Sequence, residues 1–113
     1  MKYLCMIYSD ESMWQKMTKA EADAVMAEYM SFGEELKTAG KYVLGQRLQP
    51  VHTATTVRVR DGKLSTTDGP YMETKEQLGG YYLVDAADLN DAIQIASRIP
   101  GARMGAIEVR PLA

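Results

Sequence analysis

Residues 2–8 read Lys-Tyr-Leu-Cys-Met-Ile-Tyr and carry apolar side chains at odd and even positions alike. Because side chains alternate between the two faces of a sheet, this pattern is typical of a strand that is covered on both faces. Residues 81–84, Tyr-Tyr-Leu-Val, show the same pattern near the other end of the chain. The two segments predict the central strands of a sheet.

Two further segments carry the start and stop signals of helices. Thr18–Glu21 (Thr-Lys-Ala-Glu) has the pattern of a capping box, in which a threonine hydroxyl and a glutamate carboxylate each accept a backbone amide at a helix N-terminus. Apolar residues follow at steps of three and four, and Gly40 supplies the left-handed residue that ends many helices. A second helix is predicted between Asp88 and Pro100.

The remaining strands are shorter or more polar. Residues 42–48 form an apolar segment interrupted by Gly45, which predicts an edge strand or a bulged ribbon. Residues 54–60 alternate as a half-exposed strand does, and Asp61-Gly62 is a strong signal for a type I′ hairpin turn.

A partner strand at 63–67 and a closing strand at 104–109 complete the order: strand, long helix, strand, hairpin, strand, helix, strand. This order predicts one domain over residues 1–113, an α+β fold of the ferredoxin-like type, in which a split β-α-β sandwich carries an added β-hairpin. Both helices are expected on one face of the sheet. The other face then lacks a cover, and we expect a second copy to supply it in a two-fold homodimer.

Several large apolar residues allow more than one interpretation. Trp14 and Met17 fit one turn of helix folded over the core or over a pocket mouth, and core packing is the expected role of Trp14. Met26 and Met30 are expected to fill the core. Cys5 lies inside an apolar segment and is expected to be a buried, unreactive thiol.

Charge and composition exclude several classes of partner. The 113 residues carry a formal net charge of −2 with both signs interspersed, so no nucleic-acid partner is expected. No segment has the length of a membrane span or the form of a signal peptide, so no membrane partner is expected and the cytoplasm is the expected location. No cofactor is expected, because the Walker, dinucleotide-binding and nucleophile-elbow patterns are absent.

The segment from Asp68 to Gly80 is the most chemically dense part of the chain, with four charged side chains, three glycines and a proline. Two roles for Asp68 stay open: its side chain accepts a backbone amide and fixes the turn, or it acts as a general base or orients a ligand. Gly79-Gly80 indicates a close approach of the backbone to a neighbouring strand or a ligand.

Other residues near this segment are candidates for ligand binding: Glu73, Lys75, Glu76, Arg58 and Tyr81. Glu73 and Glu76 point apart in an extended segment and meet in a helical turn, and the sequence leaves both open. Arg47 and Arg58 each offer a guanidinium fork to a carboxylate ligand, although pairing with the protein's own acids is more common. His52 has no second ligand at metal-binding spacing, so no metal site is expected.

Several of these residues also match a known family. Residues 68–76 (Asp-Gly-Pro-Tyr-Met-Glu-Thr-Lys-Glu), with Leu-Gly-Gly-Tyr behind them, resemble the motif of the YCII-related proteins of the DGPF type. The resemblance extends over nearly the whole chain and implies the dimeric α/β-barrel variant of the ferredoxin-like fold. Related proteins carry a His–Asp pair proposed to be catalytic near the first helix. This chain has no histidine there, since its single histidine is His52, so that role is not carried over.

Two functions follow as hypotheses. In the first, a homodimer binds a small polar metabolite in a cleft by the Asp68–Gly80 segment, with proton transfer by Asp68. In the second, the chain is a non-catalytic dimeric module for protein interaction or regulation.

Overall fold

The computed structural model describes all 113 residues and contains six strands and three helices. In chain order these are β1 (Lys2–Ser9), α1 (Ser12–Lys16), α2 (Lys19–Thr38), β2 (Tyr42–Arg47), β3 (Thr55–Arg60), β4 (Lys63–Asp68), β5 (Gln77–Asp85), α3 (Leu89–Ser97) and β6 (Ala106–Pro111), with 3₁₀ turns at Val51–Thr53 and Pro100–Arg103. None of the helices combines the length and the apolarity needed to span a bilayer.

Four strands form one antiparallel sheet in the order β2-β5-β1-β6, and β3 pairs only with β4. The predicted ferredoxin-like α+β fold with an added hairpin is therefore confirmed. The two segments with apolar residues at every position, β1 and β5, are the central strands. The edge position of β2 confirms the first of the two alternatives, an edge strand, and its register is irregular between Tyr42 and Leu44 rather than at Gly45.

The core lies between the helices and one face of this sheet. Tyr3 pairs with Val84 and Cys5 pairs with Tyr82 on the helix side. Buried residues of α2 and α3 pack against these positions. They include Phe32, Leu36, Ala92, Ile95 and Ala96. Burial raises the pKa of the Cys5 thiol to about 11, so it stays protonated at neutral pH, and its expected burial is confirmed.

The helix ends follow the local signals in the sequence. Thr18 Oγ1 accepts a hydrogen bond from the Glu21 amide at 3.1 Å, and Glu21 Oε1 accepts one from the Thr18 amide at 3.2 Å. Gly40 ends α2 with a φ of +71°. At the N-terminus of α3, the Asp88 carboxylate accepts a hydrogen bond from the Asp91 amide at 2.8 Å. Each predicted cap is confirmed. These caps depend on contacts within four residues, so the local sequence is enough to predict them.

The hairpin of β3 and β4 extends away from the main sheet. Asp61 and Gly62 both have positive φ, as the predicted type I′ turn requires. The alternating pattern also predicted one covered face, but within the single chain Val57, Val59 and Leu64 are all more than half exposed. The radius of gyration is 16.0 Å, whereas a compact chain of this length has about 13 Å. The hairpin therefore lacks a packing partner within its own chain.

The strand β5 starts earlier than the sequence indicated. Residues 77–80 were expected in the preceding loop, but Gln77 pairs with Ser9 of β1 and Gly80 pairs with Arg47 of β2. A Cβ at Gly80 would lie 2.9 Å from the carbonyl oxygen of Gln46, so the expected close approach is to a neighbouring strand. A Cβ at Gly79 would meet no atom within 4 Å.

These two adjacent glycines give a matched test. We expect Gly80→Ala to lower the free energy of unfolding by about 1–3 kcal/mol, because the added methyl group presses on backbone that cannot rotate away. Gly79→Ala is expected to be neutral or stabilising by up to about 1 kcal/mol, because it only restricts the unfolded chain. Urea unfolding of both variants measures the difference, and equal effects would contradict this account of Gly80.

Candidate functional site

A pocket of about 410 Å³ lies between the helices α1 and α2 and the strands β1, β2 and β5. About half of the residues that line it are apolar or aromatic. The residues of this kind are Ile7, Met13, Trp14, Met17, Met26, Tyr29, Met30, Tyr42, Tyr82 and Met104, and Tyr81 also borders the pocket. Its volume lies within the range of pockets that hold small organic ligands.

Glycines make room for this pocket. Five of the nine glycines of the chain line it, namely Gly33, Gly45, Gly79, Gly80 and Gly101. A Cβ at Gly45 would lie 2.6 Å from the ring of Tyr82, and one at Gly101 would lie 2.7 Å from the hydroxyl of Tyr29. These two glycines therefore allow the tyrosines of the pocket wall to lie against the backbone.

The short helix α1 brings Trp14 to the pocket. The carboxylate of Glu11, just before α1, accepts the amide of Val51 at 2.9 Å, while the Glu11 amide donates to the side chain of Gln77 at 3.0 Å. Trp14 is half-buried and lines the pocket. The expectation that it packs in the core is wrong, and the alternative of a helical turn at a pocket mouth is confirmed.

The methionines of α2 also lie outside the core. Met26 and Met30 were expected to fill it, but their side chains are 37% and 72% exposed and line the pocket. The physical reason lies in the opposite wall, where Gly45 and Gly80 place no side chain on the helix side of β2 and β5 and so leave part of the layer beneath α2 unfilled. An apolar stripe of the helix therefore faces a space instead of a packed layer.

Three charged side chains line the pocket, and one of them has no acidic partner. Lys37 lies 3.7 Å from Glu34 and over the ring of Tyr42 at 5.0 Å. The guanidinium of Arg47 lies 4.9 Å from the centre of the Trp14 ring, and its Nη1 is 3.9 Å from the Met26 sulfur. Arg47 forms no ion pair, in contrast to the expectation that such an arginine pairs with the protein's own acids.

Two tyrosines of the pocket wall are held in the neutral form. Burial raises the pKa of Tyr82 to about 12, and its ring packs edge-on against Phe32 at 5.2 Å between centroids. Burial also raises the pKa of Tyr29, although a hydrogen bond with the backbone of Gly101 opposes the shift. At neutral pH both side chains are phenols, which donate and accept hydrogen bonds.

Asp68 lies outside this pocket, at the end of β4 opposite Thr55. Its exposed carboxylate accepts no hydrogen bond from the chain, so the expected turn contact of its side chain is absent. The backbone fixes the turn instead: the Gly69 amide donates to the Ala54 carbonyl at 2.7 Å, and the Thr56 hydroxyl donates to the Gly69 carbonyl at 2.9 Å. A catalytic role for Asp68 stays a prediction.

The other predicted ligand-binding residues are only partly brought together. Arg58 lies over the ring of Tyr71 at 5.0 Å, on the hairpin face opposite to Asp68. The exposed residues 73–76 lie in an irregular connection that is neither a strand nor a helix, and the relation between the Glu73 and Glu76 side chains stays a prediction. Of the predicted residues, Tyr81 alone borders the pocket of about 410 Å³.

The family model of the YCII-related domain matches residues 1–113. The chain belongs to the YCII-related family. An uncharacterized protein of Rhizobium meliloti (strain 1021) is 39% identical to this YCII-related chain over 115 residues, which cover all of the chain and 93% of the relative. Assignment to the DGPF type within the family stays a prediction.

The titration of Tyr82 tests the environment of the pocket wall in this YCII-related chain. In the difference between the ultraviolet titrations of the wild type and Tyr82→Phe, we expect a phenol that ionises near pH 12. Because the folded state holds this proton more tightly than the unfolded state, the wild type should lose stability relative to the variant as pH rises from about 10 toward that value. If the difference between the two titrations shows that the Tyr82 phenol ionises near pH 10, its burial is contradicted.

Proposed function

We propose that this YCII-related chain binds a small, largely apolar molecule in the pocket between α2 and the sheet. The single observation that carries the proposal is a preformed pocket of about 410 Å³ whose wall carries methionine and aromatic side chains that lie outside the buried core. Apolar side chains that line a concave space gain free energy when an apolar ligand displaces water from it.

Gly33 supports this proposal independently. It lies within α2, has an ordinary helical φ, and a Cβ at this position would meet no atom within 4 Å. Neither packing nor backbone geometry therefore requires a glycine here, and glycine inside a helix costs about 1 kcal/mol relative to alanine. Space in the pocket is the physical reason that the structure offers for it.

The relation to the Asp68–Gly80 segment is part of the proposal. The C-terminal end of the segment, Gly79 and Gly80, lines the pocket together with Tyr81. The ring of Tyr82 packs on the helix side, so alternation directs the Tyr81 ring to the opposite face of the sheet. We infer that Tyr81 borders the bound molecule through its main chain.

The binding proposal is tested with the neutral probe 2-naphthalenemethanol. Trp14 is the single tryptophan of the chain, so its indole N–H gives one resolved resonance that reports on the pocket. We expect saturable shifts of this resonance in the wild type, and at least a tenfold loss of affinity in Gly33→Leu, whose side chain occupies the pocket.

Ala27→Leu is the matched control, since it places the same leucine side chain at an exposed position of α2 outside the pocket lining. It should bind the probe as the wild type does. Thermal unfolding of both variants checks that the fold is retained. Saturable binding that Gly33→Leu leaves unchanged would place the probe elsewhere and overturn the proposal.

We further propose that two copies associate through the sheet face that the helices leave open. The central positions of this face, Leu4, Met6, Tyr81 and Leu83, pair across β1 and β5 and are only partly covered within one chain. The molecule is only 19 Å thick along its shortest axis, about the depth of one sheet and one helix layer.

The hairpin supports the same association. A two-stranded hairpin alone is at best marginally stable, and β3 and β4 expose Val57, Val59 and Leu64. Asp68 lies on the hairpin face that carries these residues. In this proposal a second copy covers that face and excludes water from the Asp68 carboxylate, a condition that favours proton transfer by a carboxylate base.

Sedimentation velocity at micromolar concentration tests the association. We expect a dimer for the wild type and a monomer for Leu83→Lys, because the lysine places a charge at the centre of an apolar interface. Ala24→Lys, an exposed position on α2, should stay dimeric. A wild type that sediments as a monomer would contradict the proposal.

A further inference from the structure

The charge of the pocket narrows the class of ligand beyond an apolar molecule, an inference that rests on the proposed function. We infer that the ligand is a small organic carboxylate with an aromatic body, and that Arg47 binds its carboxylate. The observation behind this inference is an arginine without an acidic partner beside a wall of methionine and aromatic side chains.

The charged side chains that line the pocket sum to one positive charge, which favours a ligand with one negative charge. Of the three charged side chains that line it, Glu34 and Lys37 lie 3.7 Å apart and largely compensate each other. Arg47 stays uncompensated, and removing a cation from water without an anion is unfavourable. A ligand that fills the pocket and excludes water therefore binds best when it brings one anion to this position.

The position of Arg47 suits a planar carboxylate. It is the last residue of β2 and pairs with Gly80, so no side chain on the neighbouring strand stands beside it on the helix side. Its guanidinium lies over the Trp14 ring at 4.9 Å. A guanidinium held at an aromatic ring retains N–H groups that can donate to both oxygens of a carboxylate, a geometry that the ammonium of a lysine cannot reproduce.

The remainder of the wall suits an aromatic body. Five of its members are methionines, whose flexible thioethers adapt to a ring and make favourable sulfur–aromatic contacts. Tyr29 and Tyr82 are neutral at physiological pH, so they bring no second charge to the pocket. The single free cation fits a monocarboxylate better than a phosphate ester, which carries nearly two negative charges at neutral pH.

The test compares 2-naphthoate with 2-naphthamide, which has the same shape and no charge, by calorimetry and by the Trp14 indole resonance. We expect the wild type to bind the acid about tenfold more tightly than the amide, since hydrogen bonds to a charged group are the stronger ones. This preference should fall as salt concentration rises, whereas the affinity for the amide should change little.

Three variants assign the preference to one residue. Arg47→Met should bind acid and amide equally, because the methionine keeps an apolar contact and removes the charge. Arg47→Lys should retain only part of the preference. Arg60→Met, which removes an arginine of the hairpin that forms no ion pair, is the matched control and should keep it in full.

The outcomes separate this inference from the proposed function. Equal affinity of the wild type for acid and amide, or a preference that survives in Arg47→Met, would overturn the carboxylate inference and leave an apolar ligand in place. Binding of both probes that Gly33→Leu does not weaken, or binding of neither, would overturn the inference and the pocket proposal together. A preference lost only in the Arg47 variants supports both.

Discussion

The pairing of β1 with β5 is the constraint on which the rest of the structure depends. Both strands carry apolar side chains at successive positions, so their antiparallel pairing creates two apolar faces at once. The helices α2 and α3 cover one face and form the buried core there. The other face, with Leu4 and Leu83 at its centre, is only partly covered within the chain. One sequence pattern thus sets the sheet order, the side on which the helices pack and the surface proposed for a second copy.

The pocket arises where this two-layer packing is interrupted. On the helix side, β1 offers Cys5 and Ile7 to the core, while the neighbouring positions of β5 and β2 hold Gly80 and Gly45. These glycines bring the backbones and the Tyr82 ring close together and leave part of the layer beneath α2 without side chains. The absence of a side chain at Gly45 and Gly80 therefore allows close contacts within the sheet and leaves space on its helix side.

Features that depend on contacts between residues close in sequence could be predicted. The surroundings of a helix face could not, because they depend on residues distant in sequence that pack opposite it. The capping box at Thr18–Glu21 and the turn at Asp61-Gly62 depend on a few neighbouring residues, and both are present. Core packing is the ordinary expectation for large apolar residues such as Trp14, Met26 and Met30. Neither residue type nor helical spacing shows whether a packed layer or a cavity faces them. The several glycines of the chain were the available signal, but only their convergence in space shows that they line one pocket.

The dense segment from Asp68 to Gly80 divides into two parts with different physical roles. Its glycine pair belongs to β5, where Gly80 permits the close approach of β2 and lines the pocket. Asp68 ends β4, the other charged residues lie in the exposed connection between the hairpin and β5, and none of them lines the pocket. In the proposals made above, chemistry at Asp68 depends on a second copy that covers the hairpin, whereas binding in the pocket depends only on the residues that line it. The two proposals are physically independent, and a ligand site can exist in the monomer even if the motif acts only in an assembly.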